Sequence, residues 1–253
     1  MIWGMGILLD AELADAYLQT RLRAIDRGCY YIAKRVMDSL LASFFLVLAA
    51  VLLPLIVIAI KLDSPGPILF AQQRLRARRI RADGESSWVV EGFTLYKFRT
   101  MQTTADSSVH RRYMAAYVAG DEAALRLLRP DRKDGESYKP VDDERVTRVG
   151  RILRRLSLDE LPQLWNVLMG DMSLVGPRPP VPYEVDKYGD HHFERLASPP
   201  GVTGWAQVRG RCSIGFEEMV RLDLEYIARQ SIWFDLKILF LTIPVVLSGK
   251  GAE

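Results

Sequence analysis

SLLASFFLVLAAVLLPLIVIAI, from Ser39 to Ile60, is a run of 22 residues without a single charge. As one helix it would be about 33 Å long, enough to cross the hydrocarbon core of a bilayer. Two features oppose a plain span. Pro54 lies inside the run, where it removes a backbone hydrogen bond and bends the helix. Both flanks are also basic: Arg21, Arg23, Arg27, Lys34 and Arg35 precede the run, and Lys61, Arg74, Arg76, Arg78, Arg79 and Arg81 follow it. A single span concentrates its cations on the cytoplasmic side, and five against six does not choose a side. The expectation is a helix that enters one leaflet, breaks near Pro54 and returns, with both ends in the cytoplasm. A kinked spanning helix is the alternative.

Outside this run the chain reads as an ordinary folded protein. Its 253 residues are 49% apolar and 26% charged, which fits one domain or two small ones and excludes collagenous, mucin-like and broadly disordered chains. All 34 basic and 31 acidic side chains lie outside the apolar run, and the net charge of +3 is too balanced to mark a nucleic-acid binder. Cys29 and Cys212 show neither metal-ligand spacing nor a disulfide framework, in keeping with a reducing compartment. Met1 to Asp10 lacks a basic leader region, and Asp10, Glu12 and Asp15 follow, so a retained N-terminus is expected. Leu9, Leu13 and Tyr17 recur at helical spacing, which reads as a short amphipathic helix with a solvated face.

Beyond the run, Asp63-Ser64-Pro65-Gly66-Pro67 is a turn signal, and Ile68 to Gln72 reads as a short strand. Five arginines between Arg74 and Arg81 and a second strand over Trp88 to Phe98 complete a hairpin. Those arginines are expected to meet anionic lipid headgroups, each contributing about 1 kcal/mol near such a surface. No aromatic interleaving supports nucleic acid as their partner. Helices are predicted over Arg111 to Leu128, Arg145 to Arg155 and Phe216 to Gln230. Ile238 to Leu247 is too short to span, and with Trp233, Phe234 and Lys237 it suits an interfacial helix. The fold class that follows is α+β: a membrane-associated monotopic domain with a re-entrant N-terminal helix, interfacial amphipathic helices and a small β-hairpin. Residues 1–31 form an amphipathic extension, 32–62 the re-entrant helix and 63–253 the catalytic domain.

The chemistry concentrates between Ser157 and Pro180. Ser157-Leu158-Asp159-Glu160 fits a capping box in which Glu160 reaches back to the Ser157 backbone. Pro162 weakens that reading, because it would fall where the helix already needs an amide hydrogen; with Asp159 as the cap, Pro162 is allowed. A capping Asp159 would be held ionised by the helix N-terminus, ready to attack phosphorus or bind a metal ion. Arg148, Arg151 and Arg155 share one helical face while Arg154 points elsewhere. In Gly176-Pro177-Arg178-Pro179-Pro180 the prolines fix the backbone around one guanidinium, which makes Arg178 a rigid phosphate clamp. Strand alternation puts Lys97 and Arg99 on one face, with Tyr96 and Phe98 on the other. Gly201, Gly204 and Gly210 offer backbone amides to an anion, though glycine loops alone are weak signals.

KFRTM (Lys97 to Met101), LSLDELPQLWNVLMGDMSLVGPRP (Leu156 to Pro179) and PGVTGWAQVRGR (Pro200 to Arg211), after an apolar helix and DSPGP, resemble the bacterial sugar transferases, monotopic polyprenol-phosphate phosphoglycosyl transferases. The match runs in consistent order from about residue 32 to 247. The resemblance implies a catalytic domain on the cytoplasmic face of the bacterial inner membrane. It implies transfer of a sugar 1-phosphate from a UDP-sugar to undecaprenyl phosphate with release of UMP, and Mg²⁺ as cofactor. By position, Asp159 and Glu160 become the acidic dyad, Asp159 being nucleophile and metal ligand. Lys97, Arg154, Arg178 and Arg211 become phosphate-binding cations. Relatives often place Ser-Pro at the membrane break where this chain has Leu53-Pro54, about one turn nearer Lys61; the hairpin and the insert from Gln102 to Asp143 are longer than in minimal members. The chain reads as a short form, without a bundle of spanning helices. A non-catalytic lipid-binding adaptor and a metal-dependent phosphodiesterase are the competing classes. The sugar is open between galactose, glucose and N-acetylated forms, and so is the oligomeric state, an interfacial homodimer included.

Overall fold

The computed structural model describes residues 21–23, 27–82, 85–102, 108–128, 145–210 and 214–248. The expected helix over Leu9 to Tyr17, most of the insert from Gln102 to Asp143 beyond Leu128, and Arg211 lie outside these residues. A short strand β1 (Arg21–Arg23) leads into α1 (Gly28–Ala49) and α2 (Leu52–Asp63), which meet at 63°. Pro54 is the third residue of α2, and the break falls upstream at Ala50 and Val51. In a continuous helix the Pro54 ring would strike the Ala50 carbonyl and could not donate to it, so the bend appears at that carbonyl. Among the described residues no single helix is long and apolar enough to cross a membrane, whereas this bent pair is, by length and composition.

The first turns of α1 are held inside the protein. Lys34 is buried against Asp235 at 2.8 Å. Arg27 donates to the carbonyls of Ile227, Ala228 and Gln230, and Arg35 to those of Val167 and Leu168. Those carbonyls end two helices, α6 (Gln163–Met169) and α9 (Phe216–Arg229), where unpaired C=O groups and the dipole favour cations. Three of the five bases counted ahead of the apolar run are therefore structural, and the charge balance across the run carries no topological information.

β2 (Leu69–Ala82) and β3 (Glu85–Phe98) form a 14-residue antiparallel hairpin, and β1 pairs with the outer edge of β3. The first strand runs ten residues past the expected Gln72, because its arginines alternate with buried Leu75 and Ala77 and find cross-strand acids. Arg76 lies opposite Glu91 and pairs with both Glu91 and Asp171, and Arg78 also pairs with Glu91. Arg74 is buried. The expectation that this arginine run faces lipid headgroups thus fails for Arg74, which is shielded from solvent, and for Arg76 and Arg78, whose charges are already met by carboxylates.

The predicted helix over Arg111 to Leu128 is two, α3 (Ser108–Ala119) and α4 (Glu122–Leu128), separated at Gly120, whose φ of 65° suits only a residue without Cβ. α5 (Arg148–Arg155) is capped by the Thr147 side chain and leads to the candidate site. β4 (Ser173–Val175) and β5 (Gly201–Thr203) pair in parallel; α7 (Pro182–Val185) and a 3₁₀ turn over Asp190–Leu196 connect them. α8 (Trp205–Arg209), α9 and α10 (Ile232–Leu247) complete the chain. The main core gathers Ala42, Leu95, Val167, Val175, Trp205, Tyr226 and Ile238, so α1, the hairpin and the last helices share one apolar interior. Large apolar side chains stay exposed on α1, α2, α6 and α10, among them Val51, Leu62, Trp165, Trp233 and Phe240. Contiguous patches of that kind mark membrane or protein contact.

Candidate active site

Ser157 begins the site with a left-handed backbone, φ 55°, the only positive φ outside glycine among the described residues. It ends α5 and starts a 3₁₀ turn over Leu158–Glu160 that carries both acids. The next helix, α6, starts only at Gln163, with Pro162 at its N-cap position. Neither capping scheme read from the sequence is realised: Ser157 makes no side-chain cap bond, and Asp159 lies a full turn ahead of the helix it was expected to cap. Pro162 has no N–H to receive, so the chain inserts the tighter turn instead. Asp159 is consequently buried without help from an α-helix N-terminus, and the Glu160 carboxylate is engaged by Lys97 at 2.5 Å.

Lys97 reaches Glu160 from the end of β3, while Arg99, two residues on, turns to Ser64 and the Ile60 carbonyl at the foot of α2. The sequence reading put these two cations together; beyond Phe98 the strand ends, and they part. On α5, Arg148, Arg151 and Arg155 are exposed, whereas Arg154 turns inward and donates to Thr100 at 2.9 Å. The contact is close because α5 packs on the backbone of Thr100 at Gly150, where a Cβ would lie 2.2 Å from the Thr100 carbonyl oxygen.

The Arg178 loop is fixed by more than its prolines. The Pro177 carbonyl accepts from Gly201 N at 2.8 Å and the Arg178 carbonyl from Arg195 at 3.2 Å. The Pro179 carbonyl accepts from Arg74 at 2.8 Å and the Pro180 carbonyl from Leu75 N at 3.0 Å. Arg195 is itself buried between Asp223 at 2.8 Å and Tyr188 at 2.6 Å, with Glu184 at 3.4 Å. Gly176, Gly201 and Gly204 let this loop and β5 touch: a Cβ on any of them would fall within 2.3 Å of backbone on the facing segment. Gly201 and Gly204 therefore serve close packing of the chain on itself. They do not form the amide cradle that the sequence reading allowed for.

A cavity of about 890 Å³ has Asp159, Glu160, Lys97, Arg154 and Arg178 in its lining. Apolar side chains of α1 (Leu41, Phe45, Leu48) and of α10 (Leu236, Phe240, Val246) line it too. Five of the six site residues read from the sequence come together here; the sixth, Arg211, lies outside the described residues. Sequence reasoning passed over Arg74, which lines the same cavity, and the Arg195, Glu184 and Asp223 network beneath it. The odd spacing of one arginine among five was no signal for Arg74. The only hint for Asp223 was an acid on the apolar side of α9.

Asp159 and its neighbour Glu160 offer the hard carboxylate oxygens that Mg²⁺ takes alongside substrate phosphates, so the donor set fits that ion. A second cluster, His191, His192 and Glu217, also brings metal-type ligands together. There His192 Nδ1 accepts from Gly189 N, which puts the ring proton on Nε2, where it is donated to Glu217. That nitrogen is committed, and the cluster ties the 3₁₀ turn to the first turn of α9.

Fold and site define an α+β domain built on a bent apolar helix pair, with a cationic, carboxylate-bearing pocket opening onto apolar walls. Residues 29–249 match the family described as bacterial sugar transferase, and the chain belongs to that family. It is 39% identical over 226 residues to the galactosyl transferase CpsE of Streptococcus agalactiae, covering 88% of this chain and 44% of that protein. It is 40% identical over 231 residues to the undecaprenyl-phosphate glucose phosphotransferase of Komagataeibacter xylinus, covering 87% and 36%. A UDP-glucose:undecaprenyl-phosphate glucose-1-phosphate transferase of Caulobacter vibrioides is 39% identical over 227 residues, covering 87% and 71%. The chain thus spans less than half the length of the first two relatives.

Proposed function

We propose that the chain is a phosphoglycosyl transferase that moves a sugar 1-phosphate from a UDP-sugar to undecaprenyl phosphate on the cytoplasmic face of the bacterial inner membrane. The observation that carries this reading is one cavity whose lining joins two chemistries, cations with a buried carboxylate and the apolar side chains of α1 and α10. A polyprenyl phosphate has the same two parts. The names of the relatives point to the same acceptor, and between them they name galactosyl, glucose and N-acetylgalactosamine transfer, which leaves hexoses and N-acetylated sugars alike as candidates here.

Both substrates are anions. Two unit charges 4 Å apart at an effective dielectric of 20 repel by about 4 kcal/mol, so two uncompensated pairs slow the reaction about a millionfold. Fixed cations aimed where charge gathers remove that penalty without reorganisation. Lys97, Arg154 and the pinned Arg178 are placed for this. Mg²⁺, held by Asp159, would add Lewis-acid neutralisation of the phosphate oxygens when bound. In the proposed chemistry an Asp159 carboxylate oxygen attacks the phosphorus bearing the sugar, and its bond to the bridging oxygen breaks as UMP leaves. A phosphate oxygen of undecaprenyl phosphate then attacks the same phosphorus and the Asp159–phosphorus bond breaks, restoring the carboxylate. Each anion enters after its predecessor has left. Glu160, tethered by Lys97, orients the acceptor or metal.

The exposed apolar side chains of α1, α2, α6 and α10 supply the membrane-facing surface this acceptor requires. Asp159→Asn should abolish UMP release from a panel of UDP-sugars with undecaprenyl phosphate while leaving thermal unfolding unchanged. Near-normal turnover in that variant would remove Asp159 as the nucleophile. Release of free sugar phosphate without lipid would favour a phosphodiesterase, and no release at all a lipid-binding adaptor.

A further inference from the structure

Arg74 is only 7% exposed, and it lines the cavity beside the candidate catalytic acids. Its guanidinium is held in place by neutral acceptors only. Nε and one terminal nitrogen donate to Gln72 Oε1 at 3.1 and 2.7 Å, and the other terminal nitrogen to the Pro179 carbonyl at 2.8 Å. No described carboxylate pairs with it. The acids that share the cavity have other cations as their direct partners, Lys97 for Glu160 and Arg195 for Glu184 and Asp223, and act on Arg74 only at longer range. Two of the five N–H groups of Arg74, one on each terminal nitrogen, remain for another acceptor. Burial and the nearby positive charge of Arg178 pull its pKa down to about 10, so it stays charged at neutral pH in a place that disfavours charge. The charges of Glu184 and Glu160 offset this only in part, and a buried cation without a direct ion pair is costly unless a bound anion completes it.

We infer that Arg74 is an anion-binding residue of this site, a fixed guanidinium whose counter-ion is a phosphate group of the substrate. The inference rests on the phosphoglycosyl transferase reading and assigns one more group to its phosphate subsite. Its place is set by the hairpin and the Arg178 loop together, since the atom that anchors it, the Pro179 carbonyl, is next to Arg178. Arg74 and Arg178 line the same cavity and the charge of Arg178 acts on Arg74, a repulsion that a bound anion would relieve. The phosphate is that of the nucleotide donor or that of the lipid acceptor, which share the chemistry of a phosphate ester.

The test uses the full chain in lipid nanodiscs. UDP is titrated by calorimetry into Asp159→Asn protein, with and without Arg74→Met, and KM for UDP-sugar and for undecaprenyl phosphate is measured for Arg74→Met with Asp159 intact. Where the donor phosphate is the counter-ion, UDP affinity should fall at least tenfold, and the thermal stabilisation given by a fixed UDP concentration should shrink in step. A rise in the donor KM alone assigns the donor phosphate, and a rise in the acceptor KM alone, with UDP affinity kept, assigns the acceptor phosphate. Where Arg74→Met does not fold, Arg74→Lys replaces it: lysine keeps the charge but loses the fork that holds Gln72, Pro179 and phosphate at once, so the affected constant should move at least threefold. UDP affinity and both KM values within twofold of wild type in a folded variant would overturn the inference. So would an equal loss of thermal stability with and without UDP at unchanged constants, the mark of a purely structural arginine. If wild type releases UMP while the Arg74 variants behave as wild type, Arg74 alone is wrong; if wild type neither binds UDP nor releases UMP, the enzymatic reading falls with it.

Discussion

His110 gives the fold an acid sensitivity whose size can be worked out. It lies on α3, and its Nδ1 shares a hydrogen bond with the hydroxyl of Tyr183 on α7 at 2.5 Å. Burial lowers its pKa from 6.5 to about 4, and the positive charges of Arg74, Arg178 and Arg145 push in the same direction. The unfolded chain therefore takes up a proton before the folded one does as pH falls. Stability contributed by the neutral ring is complete above pH 6.5 and is lost progressively down to about pH 4. Between pH 7 and pH 5 the loss from this one group is about 2 kcal/mol. For a chain of this size that corresponds to a fall of roughly 4–8 °C in Tm.

Other groups titrate over the same interval, so the informative quantity is a difference of differences. His110→Gln keeps a hydrogen-bond partner for Tyr183 and cannot take the proton. Thermal unfolding of wild type and His110→Gln, each at pH 7 and pH 5, should show a Tm loss on acidification several degrees smaller in the variant. Equal losses within 1 °C would mean that the ring is not kept neutral by its surroundings. The packing of α3 against α7 would then need to be redrawn.

Three further outcomes are expected. Lys34→Met leaves Asp235 buried without its cation and should lower stability by about 3–5 kcal/mol in thermal or denaturant unfolding. The double variant Lys34→Met with Asp235→Leu should recover most of it. Gly201→Ala places a Cβ 2.1 Å from Gly176 N and should detach the Arg178 loop, which limited proteolysis after residue 176 would detect as a new cleavage. Single cysteines at Arg21 and Lys61, in a chain lacking Cys29 and Cys212, should both be labelled by an impermeant reagent in inverted vesicles and neither in spheroplasts; labelling from opposite sides would refute a re-entrant path.

The parts of the fold that were legible were those set by local period or by covalent constraint. Pro54 marked the break, the alternation in Trp88 to Phe98 marked the hairpin, and the outward face of Arg148, Arg151 and Arg155 left Arg154 to turn inward. The failures share a physical cause, which is that a charge in the sequence does not announce its partner. Arg27, Lys34 and Arg35 read as a membrane flank because their acceptors, two helix ends and Asp235, are more than 130 residues away. Arg74 read as lipid-facing because it opens a run of five arginines, and nothing in that run shows which of them is buried. The Asp159 turn was misjudged for a different reason: the left-handed Ser157 is a strained backbone that L-residues rarely adopt, and no side-chain pattern encodes it.

The same contrast shows how the arginine loop divides its work. Two buried arginines grip it from below, each through a backbone carbonyl, Arg195 at residue 178 and Arg74 at residue 179. Mechanically they are equivalent, and if rigidity were all that the fold required, both would be neutralised alike. Arg195 is: Asp223 and Glu184 both pair with it, so its positive charge is more than matched where it grips the loop. Arg74 has only an amide oxygen and a peptide carbonyl, so its charge stays in the site. Gln72 is the telling residue, because an acid at that position would have completed the pair at no cost in reach. A glutamine there orients the guanidinium without forming an ion pair, which is the arrangement the proposed phosphate subsite calls for.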